Sequence, residues 1–315
     1  MGTNYYNTPG YLWQGIRYLS DNYYISCGTT TDNLGVVSIG SIGSNSSSNS
    51  YIVSYPGSKI TSVYGPNYIG NDIYRFVGTY ILSSSDIRYG FFFEGKLSDL
   101  ENSNNYKTIH NNATITYIHS TMGNLLVGNC NNGPLKTSAF LLKINTGETI
   151  DIRYPGSLTN TVYGVWYNGV NSYTLCGGYS NIDVPITDIY NDNIIKPIGS
   201  AFIVNYNIVT NTFSNWTSIN YPNSTNVLTH FQGISKLNNS YQFAADTLNL
   251  RINNVGSWVD INVDLSGNFY VTKWTDIKYP LPGTITTSNS VANNVIVGLY
   301  ISNGETIGYQ AEITL

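Results

Sequence analysis

Short runs in which apolar and polar residues alternate, such as Tyr51-Ile52-Val53-Ser54-Tyr55, recur along the chain between clusters of Gly, Asn, Ser and Pro. A period of two marks a strand with one buried face, and the clusters supply the turns. No long stretch carries apolar residues at i, i+3, i+4 and i+7, so the pattern predicts an all-β chain. The runs also repeat. An apolar strand ending in a small pair appears at Ile25-Ser26-Cys27-Gly28, Arg75-Phe76-Val77-Gly78, Leu125-Leu126-Val127-Gly128, Thr174-Leu175-Cys176-Gly177, Gln242-Phe243-Ala244-Ala245 and Val295-Ile296-Val297-Gly298. The last residues of these copies are 50, 50, 49, 68 and 53 positions apart. A near-constant period of this length is the signature of a repeat architecture.

Three further landmarks accompany most copies. Upstream stands an aromatic or Gln before Gly, at Gln14-Gly15, Tyr64-Gly65, Tyr163-Gly164 and Gln232-Gly233, with Tyr117-Ile118 and Thr287-Ser288 as shorter versions. Downstream comes a third strand, as in Gly90-Phe91-Phe92-Phe93 and Ser200-Ala201-Phe202-Ile203. A fourth ends at Tyr55-Pro56, Tyr154-Pro155, Tyr221-Pro222 or Tyr279-Pro280, where Pro removes a ladder donor and stops the strand. Four antiparallel strands per repeat predict a β-propeller. Its blades are expected at about 11–57, 58–111, 112–157, 158–223, 224–283 and 284–315 plus 1–10, in one domain over 1–315. The last copy has only the strand from Gly308 to Leu315 after Gly298, and Tyr5-Tyr6-Asn7-Thr8-Pro9-Gly10 resembles Tyr279-Pro280-Leu281-Pro282-Gly283. The N-terminal strand is therefore expected to complete the C-terminal blade and close a six-bladed ring.

Composition changes this picture in one respect. Charged residues make up 10% of the chain, against about 25% in ordinary globular proteins, and 28 tyrosines stand in their place. The net charge of −4 offers no electrostatic footprint for nucleic acid or an anionic membrane. No run reaches the roughly 18 apolar residues of a spanning helix. No signal peptide is visible at the N-terminus, so the chain reads as mature or non-classically exported.

The segment from Ser138-Ala139-Phe140 through Pro155-Gly156 and Tyr163-Gly164 to Cys176-Gly177 resembles the HAF repeats of presumed extracellular bacterial proteins. Ser138 and Ser200 stand where the family name implies His. The resemblance holds at blade level and implies repeat architecture and an extracellular or surface-exposed setting, with no activity attached.

Propeller ligands are expected at the channel mouth that carries the b-to-c loops. Those loops are expected at Thr29 to Asn33, Tyr80 to Tyr89, Asn129 to Thr137, Tyr179 to Gly199, Asp246 to Gly256 and Tyr300 to Ile307. The fourth is the longest, and long loops in compact domains are usually functional or disordered. It gathers Asp183, Asp188 and Asp192 beside Tyr179 and Tyr190, and the neighbouring hairpin brings Arg251 from its loop and Trp258 from the strand that follows. These residues form the expected ligand site, with carboxylates accepting from sugar hydroxyls and aromatics stacking on a sugar ring. A solvated turn loop accounts for the same residues. Their spacing does not match an EF-hand, so no cofactor is expected and Ca2+ stands only as an alternative. His110, His119 and His230 are the full set of histidines and read as packed side chains, with a three-histidine zinc site as the alternative. Cys27 and Cys176 share the repeat position of Val77, Val127 and Val297, which marks them as small buried residues without redox chemistry. There is no Gly-x-Ser-x-Gly elbow and no phosphate-binding glycine loop.

The expected function is a non-catalytic recognition module, lectin-like or serving surface attachment, whose partner is a glycan or other surface ligand. A carbohydrate-active enzyme using mouth carboxylates and a structural protein of a cell or virion surface are the alternatives.

Overall fold

The computed structural model describes residues 2–20, 22–43, 49–111, 113–131, 137–181, 199–223, 227–249 and 253–314. Among them there is no α-helix, and strands follow one another from end to end. The chain opens on β1 (Thr3–Thr8), whose partner comes last. The first group is β2 (Tyr11–Ser20), β3 (Tyr23–Thr30), β4 (Gly35–Ser41) and β5 (Asn49–Val53), paired antiparallel in that order. The second is β6 (Ser58–Gly70), β7 (Ile73–Leu82), β8 (Arg88–Gly95) and β9 (Tyr106–Ile109). The third is β10 (Ile115–Met122), β11 (Leu125–Asn131), β12 (Thr137–Lys143) and β13 (Thr149–Ile152). The fourth is β14 (Thr159–Gly169), β15 (Ser172–Ser180), β16 (Ser200–Asn207) and β17 (Thr212–Ile219). The fifth is β18 (Val227–Leu237), β19 (Ser240–Asn249), β20 (Asn253–Val263) and β21 (Phe269–Ile277). The last group has a broken inner strand, β22 (Ile285–Thr286) and β23 (Ser290–Ala292), followed by β24 (Val295–Ser302) and β25 (Glu305–Ile313). Its fourth strand is β1, which runs antiparallel to β25 from Thr3 opposite Ile313 to Thr8 opposite Gly308.

Strand alternation decides what lies between groups. Residues at successive positions point to opposite faces, so one face of each group meets the group before it and the other meets the group after. Ile25, Cys27, Val37 and Val53 pack on Phe76, Phe91 and Phe93 of the second group. Leu125, Val127 and Leu141 pack on Leu175, Phe202 and Val204, and Ala244 and Trp258 pack on Val291, Ile296 and Tyr309. The b-strand glycines follow from the same crowding. A side chain on Gly78 would run into the Ser62 carbonyl and the Phe91 ring, and one on Gly298 into the Thr287 carbonyl and the Tyr309 ring. The fifth group has Ala245 at this place, and the residue across the ladder shrinks to Ser257. Hairpins turn tightly where left-handed residues permit: β6 and β7 join through Asn71 and Asp72, at φ of 55° and 59°, as a two-residue type I′ turn requires.

The inner strands surround a common axis. From β2 the Arg17 guanidinium donates to the Ile234 carbonyl of β18 at 3.0 Å, the Val165 carbonyl of β14 at 3.3 Å and Ser120 Oγ of β10 at 3.4 Å. Strands of four different groups therefore lie within reach of one side chain. Radially packed four-stranded antiparallel sheets around an axis make this a β-propeller.

Candidate functional site: the two mouths of the channel

The inner strands share a local irregularity that aims side chains at the axis. Pairing slips between Trp13 and Gly15, Tyr64 and Asn67, Ile118 and Ser120, Val162 and Gly164, and Phe231 and Gly233. Such bulges re-aim side chains. They leave Gln14, Tyr64, His119, Tyr163 and Gln232 at matching, half-buried positions. The slip in the third group falls at His119, two residues after the expected landmark Tyr117-Ile118. In the last group the break between β22 and β23 puts Asn289 at that place, again two residues after Thr287-Ser288.

On the b-to-c side these residues form an aromatic chain. His119 meets Tyr64 at 5.3 Å, stacks on Tyr117 at 5.6 Å and meets Tyr163 edge-on at 4.6 Å. Tyr163 in turn lies 6.0 Å from His230. A cavity of about 250 Å³ opens beside them, lined by Tyr117, His119, Asn129, Cys130, Thr161 and Tyr163 among others. Burial removes charge from this mouth. It pushes His119 down to about 3 and His230 down to about 4, so both imidazoles are neutral at physiological pH. Among the described residues no group of three His, Cys, Asp or Glu side chains is placed to hold a metal ion.

Asp246 sits on the same side and is pushed up to about 7 by burial, opposed by the bond its carboxylate accepts from the Ser288 backbone N–H at 2.7 Å. Asn129 does the same work one repeat position for another, accepting from the Val162 N–H at 2.8 Å. Each ties the end of a b strand to the inner strand of the next group.

Arg17 closes the channel from the other side. Burial with no carboxylate bound to it lowers its pKa to about 10. Below it a mouth of about 220 Å³ is lined by Arg17, Asn67, Met122, Trp166, Lys236 and Asn293 among others, so every group contributes. The sequence offers one signal for Arg17, a charge at an inner-strand position that is otherwise uncharged.

The residues expected to form the ligand site fare differently. Asp183, Asp188, Tyr190, Asp192 and Arg251 lie outside the described residues. Tyr179 does not stand free at the mouth. It stacks on Tyr154 at 3.7 Å and donates to Ser218 Oγ at 2.8 Å. Tyr80 on Tyr55 and Tyr300 on Tyr279 make the same stack at 3.6 and 3.8 Å, so Tyr179 belongs to a recurring contact between groups. Trp258 is a correction. It is 1% exposed because the β20 alternation sends it inward, in the register of Val37, Phe92, Leu141 and Ile203. Strand pairing also takes up much of the expected loop from Asp246 to Gly256, since β19 runs to Asn249 and β20 starts at Asn253.

Neither a family model nor a curated protein matches the sequence. Solved structures do. A family-43 glycoside hydrolase described as thermostable is 10% identical over 88% of this chain and 99% of that one, with a TM-score of 0.48. The Aleuria aurantia lectin, in complex with Fucalpha1-6GlcNAc, is 10% identical over 96% of this chain and 93% of that one, at 0.47. Prolyl endopeptidases match at 9% identity and 0.46, with this chain covering 43% of theirs. At these identities the likeness is one of fold.

Proposed function

We propose that the protein is a non-catalytic recognition module, a six-bladed propeller forming one domain, that binds a neutral carbohydrate at the b-to-c mouth of its channel. The ring of six is supported by the pairing of β1 with β25 and by the contribution of all the inner strands to the opposite mouth. The observation that carries the binding reading is the chemistry of the mouth: Tyr117, His119 and Tyr163 offer uncharged aromatic faces beside Asn129, Asn131, Thr137 and Thr161, and among the described residues no carboxylate lines either cavity. Aromatic faces take the C–H side of a sugar ring while hydroxyls and amides take its edge. An extracellular setting, as the HAF-type repeat implies, agrees with exposed asparagines at Asn215, Asn223 and Asn238, each followed by Ser or Thr two residues on as a glycosylation acceptor requires.

A glycan array with neutral oligosaccharides tests the reading. Binding is expected, and Tyr163→Ala or His119→Ala should weaken it by about tenfold or more through the lost ring contact. An array without signal would overturn it. One observation favours the enzyme alternative: Asp246 near 7 has the value a general acid needs. That reading requires a second acid from the b-to-c loops, and it predicts polysaccharide turnover that Asp246→Asn abolishes.

A further inference from the structure

The seam between the last group and the first is built unlike the others. On the face of each group that meets its predecessor, one row of cross-strand partners runs from strand b through c to d. In the second group the row is Phe76, Phe93 and Tyr106, and in the fifth Phe243, Val259 and Trp274. In the last it is Ile296, Ala311 and Tyr5, and in the fourth it begins Leu175 and Val204. The first group has Ser26, Ser38 and Ser50. The facing side changes too. Where strand c elsewhere turns Val37, Phe92, Leu141, Ile203 or Trp258 toward the next group, the last group turns Gln310. Polar residues thus replace apolar ones on both walls of one seam.

The result is an open cleft of about 370 Å³, lined by Ser26, Ser38, Ser50, Gln310, Asn7 and Trp13 with neighbouring residues of the same seam. Its volume lies within the roughly 300–1,000 Å³ of small-molecule sites. Ser38 and Ser50 share a hydrogen bond at 3.2 Å. Ser26 is 3% exposed, it lines the cleft, and among the described residues its hydroxyl has no bonding partner. A buried hydroxyl facing a polar cavity without a protein partner is matched by water or by a ligand. On the same wall as the serines the buried Trp13 donates its indole N–H across the seam to Thr8 Oγ1 at 2.7 Å and stacks on Tyr11 at 5.2 Å, which fixes its indole edge at the cleft.

We infer that this seam is a second binding site, separate from the channel, for a neutral polyhydroxylated ring such as a hexose, deoxyhexose or N-acetylhexosamine. Among the described residues none that lines the cleft is charged, so an anionic ligand would lose its hydration without compensation. Serine hydroxyls and the Gln310 amide both donate and accept, which suits vicinal hydroxyls that do the same. The site does not depend on the channel reading.

The five tryptophans give the test its reporter. In two-dimensional nitrogen–proton spectra of the whole protein, neutral monosaccharides at millimolar concentration should shift the Trp13 indole signal, assigned through Trp13→Phe. The double variant Ser26→Ile, Ser38→Val restores the residue types of Ile296 and Val259. It should weaken that binding by about tenfold or more while leaving the fold at least as stable. Gln310→Leu, after Leu141, is the second variant should the first fail to fold. Tyr163→Ala in the channel should leave the Trp13 response intact. A Trp13 signal unmoved by every monosaccharide, or a folded filled variant that still binds equally well, would overturn the inference.

Discussion

Asp246 is held in a place where its charge is unwelcome. Its carboxylate is buried, accepts one backbone N–H from Ser288, and rises from an ordinary value near 3.8 to about 7. Between about pH 4 and 7 the folded chain keeps a proton that the unfolded chain has released, so stability falls as pH rises through that window. The shift corresponds to at most about 4 kcal/mol at neutral pH. Asn129 makes the matching bond without a charge, so Asp246→Asn should keep the tie to the last group. The variant is expected to gain on the order of 2–4 kcal/mol at about pH 8 and almost nothing at about pH 4, read from urea unfolding at both. Equal gains at the two pH values would show that titration is not the cause. A fold that retains a charge where an amide serves elsewhere is also what a stability cost accepted for ligand binding looks like.

At the scale of elements, β1 is the strand on which most depends for its length. Six residues pair with β25, and Tyr5 sits edge-on to Tyr279 at 5.3 Å and 5.8 Å from Tyr309. Removing residues 1–9 would strip β25 of its partner and leave an unpaired edge over an exposed aromatic layer. The truncated chain is expected to melt well below the intact one and to aggregate on size-exclusion chromatography, and a peptide of residues 2–9 added in excess should restore part of the loss. An unchanged melting temperature would mean that the ladder contributes little. This strand was legible in the sequence because Tyr-Tyr-Asn-Thr-Pro-Gly echoes the other strand ends, and the b strands were legible because each packs a glycine or alanine against a neighbour's carbonyl. The bulges were harder to read. In the third and last groups no glycine marks them, Ser120 and Ser290 filling the place, so the expected landmark falls two residues early. Trp258 faces inward for a related reason, since the hairpin is paired from Asn249 opposite Asn253 onward and its residues alternate between the two faces. The serine row was present in the sequence as well. It shows only when the same column is compared across all repeats, because each Ser alone is an ordinary strand residue.

For the whole molecule, the scarcity of charge shifts pH sensitivity onto tyrosine. The aromatic contacts between groups hold phenols whose ionised form the interior disfavours. Burial pushes Tyr64, Tyr206 and Tyr221 each up to about 12, with the Asp276 carboxylate adding to the rise at Tyr221. Tyr5, Tyr24, Tyr106, Tyr163 and Tyr309 are raised in the same direction by burial. A raised tyrosine stays protonated in the folded state after the unfolded chain has ionised at about pH 10, so each contributes stability that is lost as pH climbs from about 10 toward its folded value. Tyr64 alone accounts for an effect of order 2–3 kcal/mol. Arg17 acts in the opposite sense, because its lowered value of about 10 means that its burial penalty is relieved over the same range. One arginine of about 3 kcal/mol offsets little more than one such tyrosine, and the remaining tyrosines decide the sign. The protein should therefore unfold cooperatively between about pH 10 and 12, with tyrosinate absorbance and loss of the strand circular dichroism rising together. Tyrosines that titrated smoothly near pH 10 while the circular dichroism stayed constant would contradict it, and would mean that the seams admit water far more freely than their packing implies.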